Sequence, residues 1–119
     1  MPDSLQDLAR DLDRFAAERD WHRFHAPKNL ASALIVEAGE LLEHFQWMTE
    51  AQSRNLAPDK LAAVRGEMAD VLLYLVQLGN ALGIDVVAAG RDKLRVNAGR
   101  FPRTRDAAVD GSDAPDATP

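Results

Sequence analysis

Between Met68 and Leu78 the chain is apolar on almost every side that a helix can present. Val71, Leu75 and Leu78 fall on one side. Leu72 and Val76 lie roughly 90–120° away, and Leu73 fills the gap between Leu72 and Asp70. Such a helix has to be enclosed on several sides by other elements. No window of the sequence shows sustained period-2 alternation, and the turn pairs of hairpins are missing, so those enclosing elements must themselves be helices.

The remaining text supplies three of them. Ser4 is placed to cap a first helix with Asp7 in its first turn, and Leu5, Leu8, Leu12 and Phe15 recur at helical spacing until the helix fades near Asp20. After a connector stopped by Pro27, a second helix is expected from Lys28 or Asn29 to Thr49, followed by a loop, EAQSRNLAP. The third starts near Pro58, a residue tolerated in a first turn, and runs to Ala81 or Leu82, where Gly83 stops it. A fourth covers Asp85 to Ala98, ahead of Gly99 and Pro102. The expected fold is an all-α four-helix bundle over residues 1–102. Residues 103–119, rich in Asp, Ala, Gly, Ser and Pro, cannot bury enough surface to offset their ordering entropy, and a disordered acidic tail is expected there. Three partner helices, two with strongly polar outer faces, are few for the third. The simplest remedy is a homo-oligomer in which Leu72 or Val76 faces another chain.

Composition narrows the function. With no cysteine, disulfides, thiolate metal sites and cysteine catalysis are excluded. Fourteen basic against nineteen acidic residues, a net charge of −5, argue against binding duplex nucleic acid through a basic surface. The longest strongly apolar run, Val71 to Val76, is far shorter than the roughly 20 residues of a membrane span. The N-terminus lacks a basic segment followed by an apolar one, so no signal peptide is expected. A soluble, cytoplasmic protein is the expectation. An acidic protein still binds phosphates if a metal ion bridges the two negative partners.

On the second helix Ala33, Glu37, Glu40, His44 and Trp47 fall within about 80° of one another, beside the stripe Leu30, Leu34, Leu41 and Phe45. On the third, Ala63, Glu67, Asp70 and Tyr74 share a stripe beside Val64, Val71, Leu75, Leu78 and Leu82. Each helix thus carries an acidic i, i+3 pair at the edge of its packing surface. Like charges at that spacing destabilise a helix, more so when partly buried. A divalent cation removes the conflict, and hard oxygen ligands favour Mg²⁺ or Mn²⁺ over zinc. Solvated surface charge is the competing reading of the same periodicity.

The segments EAGE (37–40) and EMAD (67–70) resemble the E-x-x-E…E-x-x-D signature of MazG-like all-α nucleoside triphosphate pyrophosphohydrolases. FAAERDW (15–21), FHAPKNL (24–30), GELLEHFQW (39–47), ADVLLYLV (69–76) and KLRVNAGRFP (93–102) resemble one branch, the dCTP pyrophosphatases. The resemblance implies Mg²⁺ held by Glu37, Glu40, Glu67 and Asp70, with water attacking the α-phosphorus of dCTP or a modified dCTP to give the monophosphate and pyrophosphate. Glu40 or Glu43 would receive the water's proton.

Lys93, Asn97 and Arg100 stand at i, i+4 and i+7 on one face of the fourth helix, and the resemblance assigns them to phosphate oxygens. It assigns Trp21, His25, Trp47 and Tyr74 to the base pocket, and Asn29 is a further candidate for the base edge. Spacing alone favours packing for either Trp, and it leaves His25 open to bracing the connector and Asn29 to capping the second helix. Phe101 and Leu12 depart from the pattern, standing where many relatives have Tyr and some have His. The resemblance also implies a dimer of dimers. A broad-specificity hydrolase, or a helical interaction module without catalysis, are the alternatives that residues alone leave open.

Overall fold

In the computed structural model, residues 4–101 and Arg103 are described. Apart from Arg103, the expected tail lies outside the described residues. Five α-helices follow in order: α1 (Leu5–Glu18), α2 (Pro27–Glu43), α3 (Glu50–Ser53), α4 (Pro58–Leu82) and α5 (Val86–Arg100), with a 3₁₀ turn at His22–Phe24. No strand occurs among the described residues, so the chain is all-α as expected. No single helix there is long and apolar enough to cross a membrane. Two compact units divide after Ile84: one holds α1 to α4, the other α5.

Local chemistry sets most of the boundaries. The Ser4 side chain accepts a hydrogen bond from the Asp7 backbone N–H at 3.0 Å, the expected cap of α1. At the other end the Asp20 N–H bonds the Ala17 carbonyl (3.1 Å) and the Trp21 N–H bonds the Ala16 carbonyl (2.9 Å), while Asp20 takes φ 55°. This is a Schellman closure with Asp in the left-handed position usually filled by Gly. Its accompanying apolar contact is Phe15 against Trp21, edge to face with centroids 5.4 Å apart. α4 ends the same way at Gly83, φ 67°, with the Ile84 N–H on the Gly79 carbonyl at 2.9 Å. Asp85 caps α5 through its carboxylate, which accepts from Val87 and Ala88 N–H.

α2 stops earlier than its apolar periodicity predicts. After Glu43 the Phe45 N–H turns back to the Leu42 carbonyl at 2.9 Å, and residues 44–47 form turns. Thr49 then opens α3 in a capping box: its hydroxyl accepts from the Gln52 N–H, and the Gln52 amide oxygen accepts from the Thr49 N–H. The expected helix to Thr49 and the expected loop at 50–53 are both corrected by this one cap.

Within the first unit α2 packs along α4, and α1 packs on α4 more briefly, tied by the Asn80 amide donating to the Ala9 carbonyl at 3.0 Å. Among the described residues, Ala16, Leu30, Val64 and Val76 are the buried apolar side chains. Val76 is 1% exposed and packs inside its own chain, so it is not a candidate for contact with another subunit. Leu72, 38% exposed, remains available, as do Met68 and Leu75 on the same side of α4.

Candidate active site

The lengthwise packing of α2 on α4 sets the two acidic pairs against each other. Carboxylate oxygens of Glu37, Glu67 and Asp70 lie within 4.8 Å of one another, close enough to share one cation. Glu40 adjoins Glu37 and Glu67, close enough for its charge to act on both, but stands outside that trio. Glu37 Oε2 and Glu67 Oε2 are buried and have no hydrogen-bond partner among the described residues. Burial, then the adjoining Glu40 and the charges of Asp70 and Glu67, pushes the Glu37 carboxyl up to about 7. Glu67 is raised for the same leading reason, burial, followed by the Glu40 charge. Orphaned carboxylate oxygens converging at this distance fit a divalent cation, which satisfies each of them and removes their mutual repulsion.

A basic relay stands behind Glu67. Lys60 Nζ donates to His44 Nδ1 at 3.2 Å, leaving His44 Nε2 to carry its proton 4.0 Å from Glu67 Oε1. The sequence places His44 on the acidic stripe but gives no hint of Lys60, which comes from the first turn of α4. Only the α2–α4 packing makes them neighbours.

Asp70 belongs to a second feature as well. With Leu12, Phe15, Trp21, His25, Leu73, Tyr74 and Gln77 it lines a cavity of about 260 Å³ between α1, the connector and α4. The Schellman closure of α1 aims Trp21 into it, and His25 stands edge-on to Trp21 at 6.4 Å. Beyond it lies a second cavity of about 380 Å³ that shares Leu12, His25 and Gln77 as walls and adds Asp13, His22 and Asn80 among others. The His22 ring meets Asp13 there, Nε2 to Oδ1 2.9 Å.

The structure therefore brings Trp21, His25 and Tyr74 together beside the acidic cluster. Two other expected base contacts stand elsewhere. Asn29 is exposed, its amide donating to the Phe24 carbonyl at 3.4 Å, which braces the start of α2. Trp47 is 89% exposed in the turns after Glu43, so it does not share the α2 stripe of Glu37 and Glu40 as an uninterrupted helix would require. Glu43, the last residue of α2, is exposed and outside the converging carboxylates. Lys93, Asn97 and Arg100 are all helical on α5, with Arg100 stacked over Phe101 at 5.1 Å, and belong to the other unit. Gln77 carried no expectation. One polar residue in an apolar run gives no signal until α1 packs against it.

The model of the MazG-like family matches residues 33–109. The dCTP pyrophosphatase 1 of Homo sapiens is 43% identical over 101 residues, covering 83% of this chain and 59% of its own length. That of Rattus norvegicus is 41% identical over 119 residues, covering 97% of this chain and 70% of its own. The crystal structure of a pyrophosphatase from Archaeoglobus fulgidus superposes with a TM-score of 0.78 at 32% identity, over 87% of this chain and 96% of that one. The chain spans about three fifths of the human relative that it matches.

Proposed function

Because this chain belongs to the MazG-like family, we propose that it hydrolyses a nucleoside triphosphate to the monophosphate and pyrophosphate, with dCTP or a modified dCTP as the favoured substrate. The observation that carries this reading is the double membership of Asp70, in the carboxylate cluster and in the wall of the aromatic cavity. A triphosphate held at the cluster has its base directed into that cavity. The relatives named dCTP pyrophosphatase support the choice of cytosine.

Glu37, Glu67 and Asp70, with Glu40 beside them, would hold Mg²⁺, and Mn²⁺ suits the same donors. When bound, the cation neutralises triphosphate oxygens that four carboxylates would otherwise repel. The chain's own residues do the rest. Trp21 and Phe15 offer ring faces and edges for the base, and Tyr74, one turn from Asp70, stands at the level of the sugar. Glu40 would take the proton of water as its oxygen attacks the α-phosphorus and the bond to the bridging oxygen of pyrophosphate breaks. Lys60 holds positive charge behind Glu67, and the His44 ring that accepts from it turns its Nε2–H toward that side of the cluster. Lys93, Asn97 and Arg100 form a donor face on α5 suited to phosphate oxygens. Trp47, exposed as it is, suits a base or a subunit contact supplied by assembly, and the exposed side of α4 supports a homo-oligomer, a dimer of dimers in this family reading.

The test is release of pyrophosphate from a panel of canonical and modified triphosphates with and without Mg²⁺. Cation-dependent release, fastest with a cytosine nucleotide, is expected. Equal rates across bases would favour a broad-specificity hydrolase. No release from any would leave a helical interaction module.

A further inference from the structure

Stacking on Trp21 and Phe15 holds any base and distinguishes few, since every base has a π-face. Discrimination needs a polar group at the far end of the cavity, facing the base edge. Asp70, Tyr74 and Gln77 stand at i, i+4 and i+7 on α4 and all line the cavity. Gln77 is therefore about 10 Å along the helix from Asp70, with Tyr74 between them at the level of the sugar. It is also a wall of the second cavity, so it stands at the partition where a base entering from the cluster stops.

The chemistry of this position is specific. Leu12 and Leu73 beside it offer no hydrogen bond. The Gln77 amide carries one acceptor oxygen and two donor hydrogens. It is half-buried, and among the described residues it has no hydrogen-bond partner. Asn80, one turn on, differs: its amide is engaged by the Ala9 carbonyl. A half-buried amide without a protein partner is met by water in the free protein and is open to a ligand that completes it.

We infer that Gln77 is a specificity-determining residue, its amide oxygen accepting from the exocyclic 4-amino group of a cytosine base while its NH₂ donates to the adjacent ring nitrogen. This rests on the nucleotide orientation proposed above. A base lacking the amino group leaves the amide oxygen unpaired and is rejected for that reason, as sites built to hydrogen-bond a polar group reject analogues without it.

The probes are the α,β-imido analogue of dCTP and its counterpart with pyrimidin-2-one, cytosine without the 4-amino group. Each is titrated calorimetrically into the full chain with Mg²⁺. The wild type is expected to prefer the amino compound roughly tenfold or more. In Gln77→Met, unbranched and of similar length, and in Gln77→Ala, that preference falls to about onefold. Melting temperatures stay near the wild type, since the amide has no internal partner to lose. A preference unchanged in both variants overturns the inference, as does a wild type with no preference. If the dCTP analogue binds with Gln77-dependent preference yet dCTP itself yields no pyrophosphate, the hydrolase reading fails and the base reader stands. If the analogue does not bind, both fail.

Discussion

Two buried oxygens, Glu37 Oε2 and Glu67 Oε2, hold the strongest functional signal in the chain because nothing among the described residues satisfies them. Glu37→Gln is expected to stabilise the metal-free protein, and the pH at which it does so follows from the raised carboxyl. Ordinary carboxyls near 4.5 lose their proton in the unfolded chain while Glu37 keeps its own up to about 7 in the fold. Between these values the native state binds more protons, so stability falls as pH rises and the penalty is complete above 7. Thermal melts of wild type and Glu37→Gln should converge below pH 4.5 and separate above 7, and Mg²⁺ should raise the wild-type melting temperature more at pH 8 than at pH 5. Melts that stay parallel across this range would count against the cluster. Glu40→Gln and Asp70→Asn, near-isosteric, should lose essentially all turnover with an unchanged circular dichroism spectrum. Rates like wild type in both would remove the catalytic assignment. The two acidic pairs were legible from spacing, since i, i+3 carboxylates beside an apolar stripe mark one helix edge. Lys60 and Gln77 were not, because each acquires its role from a helix distant in sequence.

The helix ends show how far local chemistry can be read. Ser4, Pro58, Gly83 and Asp85 act where their residue types predict, each through a hydrogen bond or dihedral that few other residues supply. The end of α2 escaped such reading. Phe45 and Trp47 continue the apolar rhythm past Glu43, while the competing signal, the Thr49 to Gln52 capping box, spans only a few residues and outweighs the rhythm locally. Gly83→Ala tests the other closure. At φ 67° a Cβ is strained even though no atom lies within 4 Å of where it would sit, so the loss comes from the backbone alone. Chemical denaturation should report about 1 kcal/mol of lost stability. A neutral result would mean that the turn relaxes without cost.

The apolar girth of α4 predicted enclosure on several sides, and the first unit encloses only part of it. Leu61, Met68, Leu72, Leu75 and Leu82 remain exposed along α4, and Ile35, Val36 and Leu42 along α2. Exposed apolar area of this extent suits the homo-oligomer proposed above. Light scattering at micromolar concentration should give a multiple of 13.1 kDa, and Leu72→Glu should lower it. A mass of one chain for the wild type would refute assembly. Among the described residues, Leu30 and Val76 are the large side chains fully withdrawn from water, which has a consequence for how the fold responds to quantity. In the homo-oligomer proposed above, folding and association would share a single equilibrium, and the law of mass action would enter the melting curve. Dilution then acts as a denaturant: each tenfold drop in chain concentration should move the melting midpoint downward with no change of solvent.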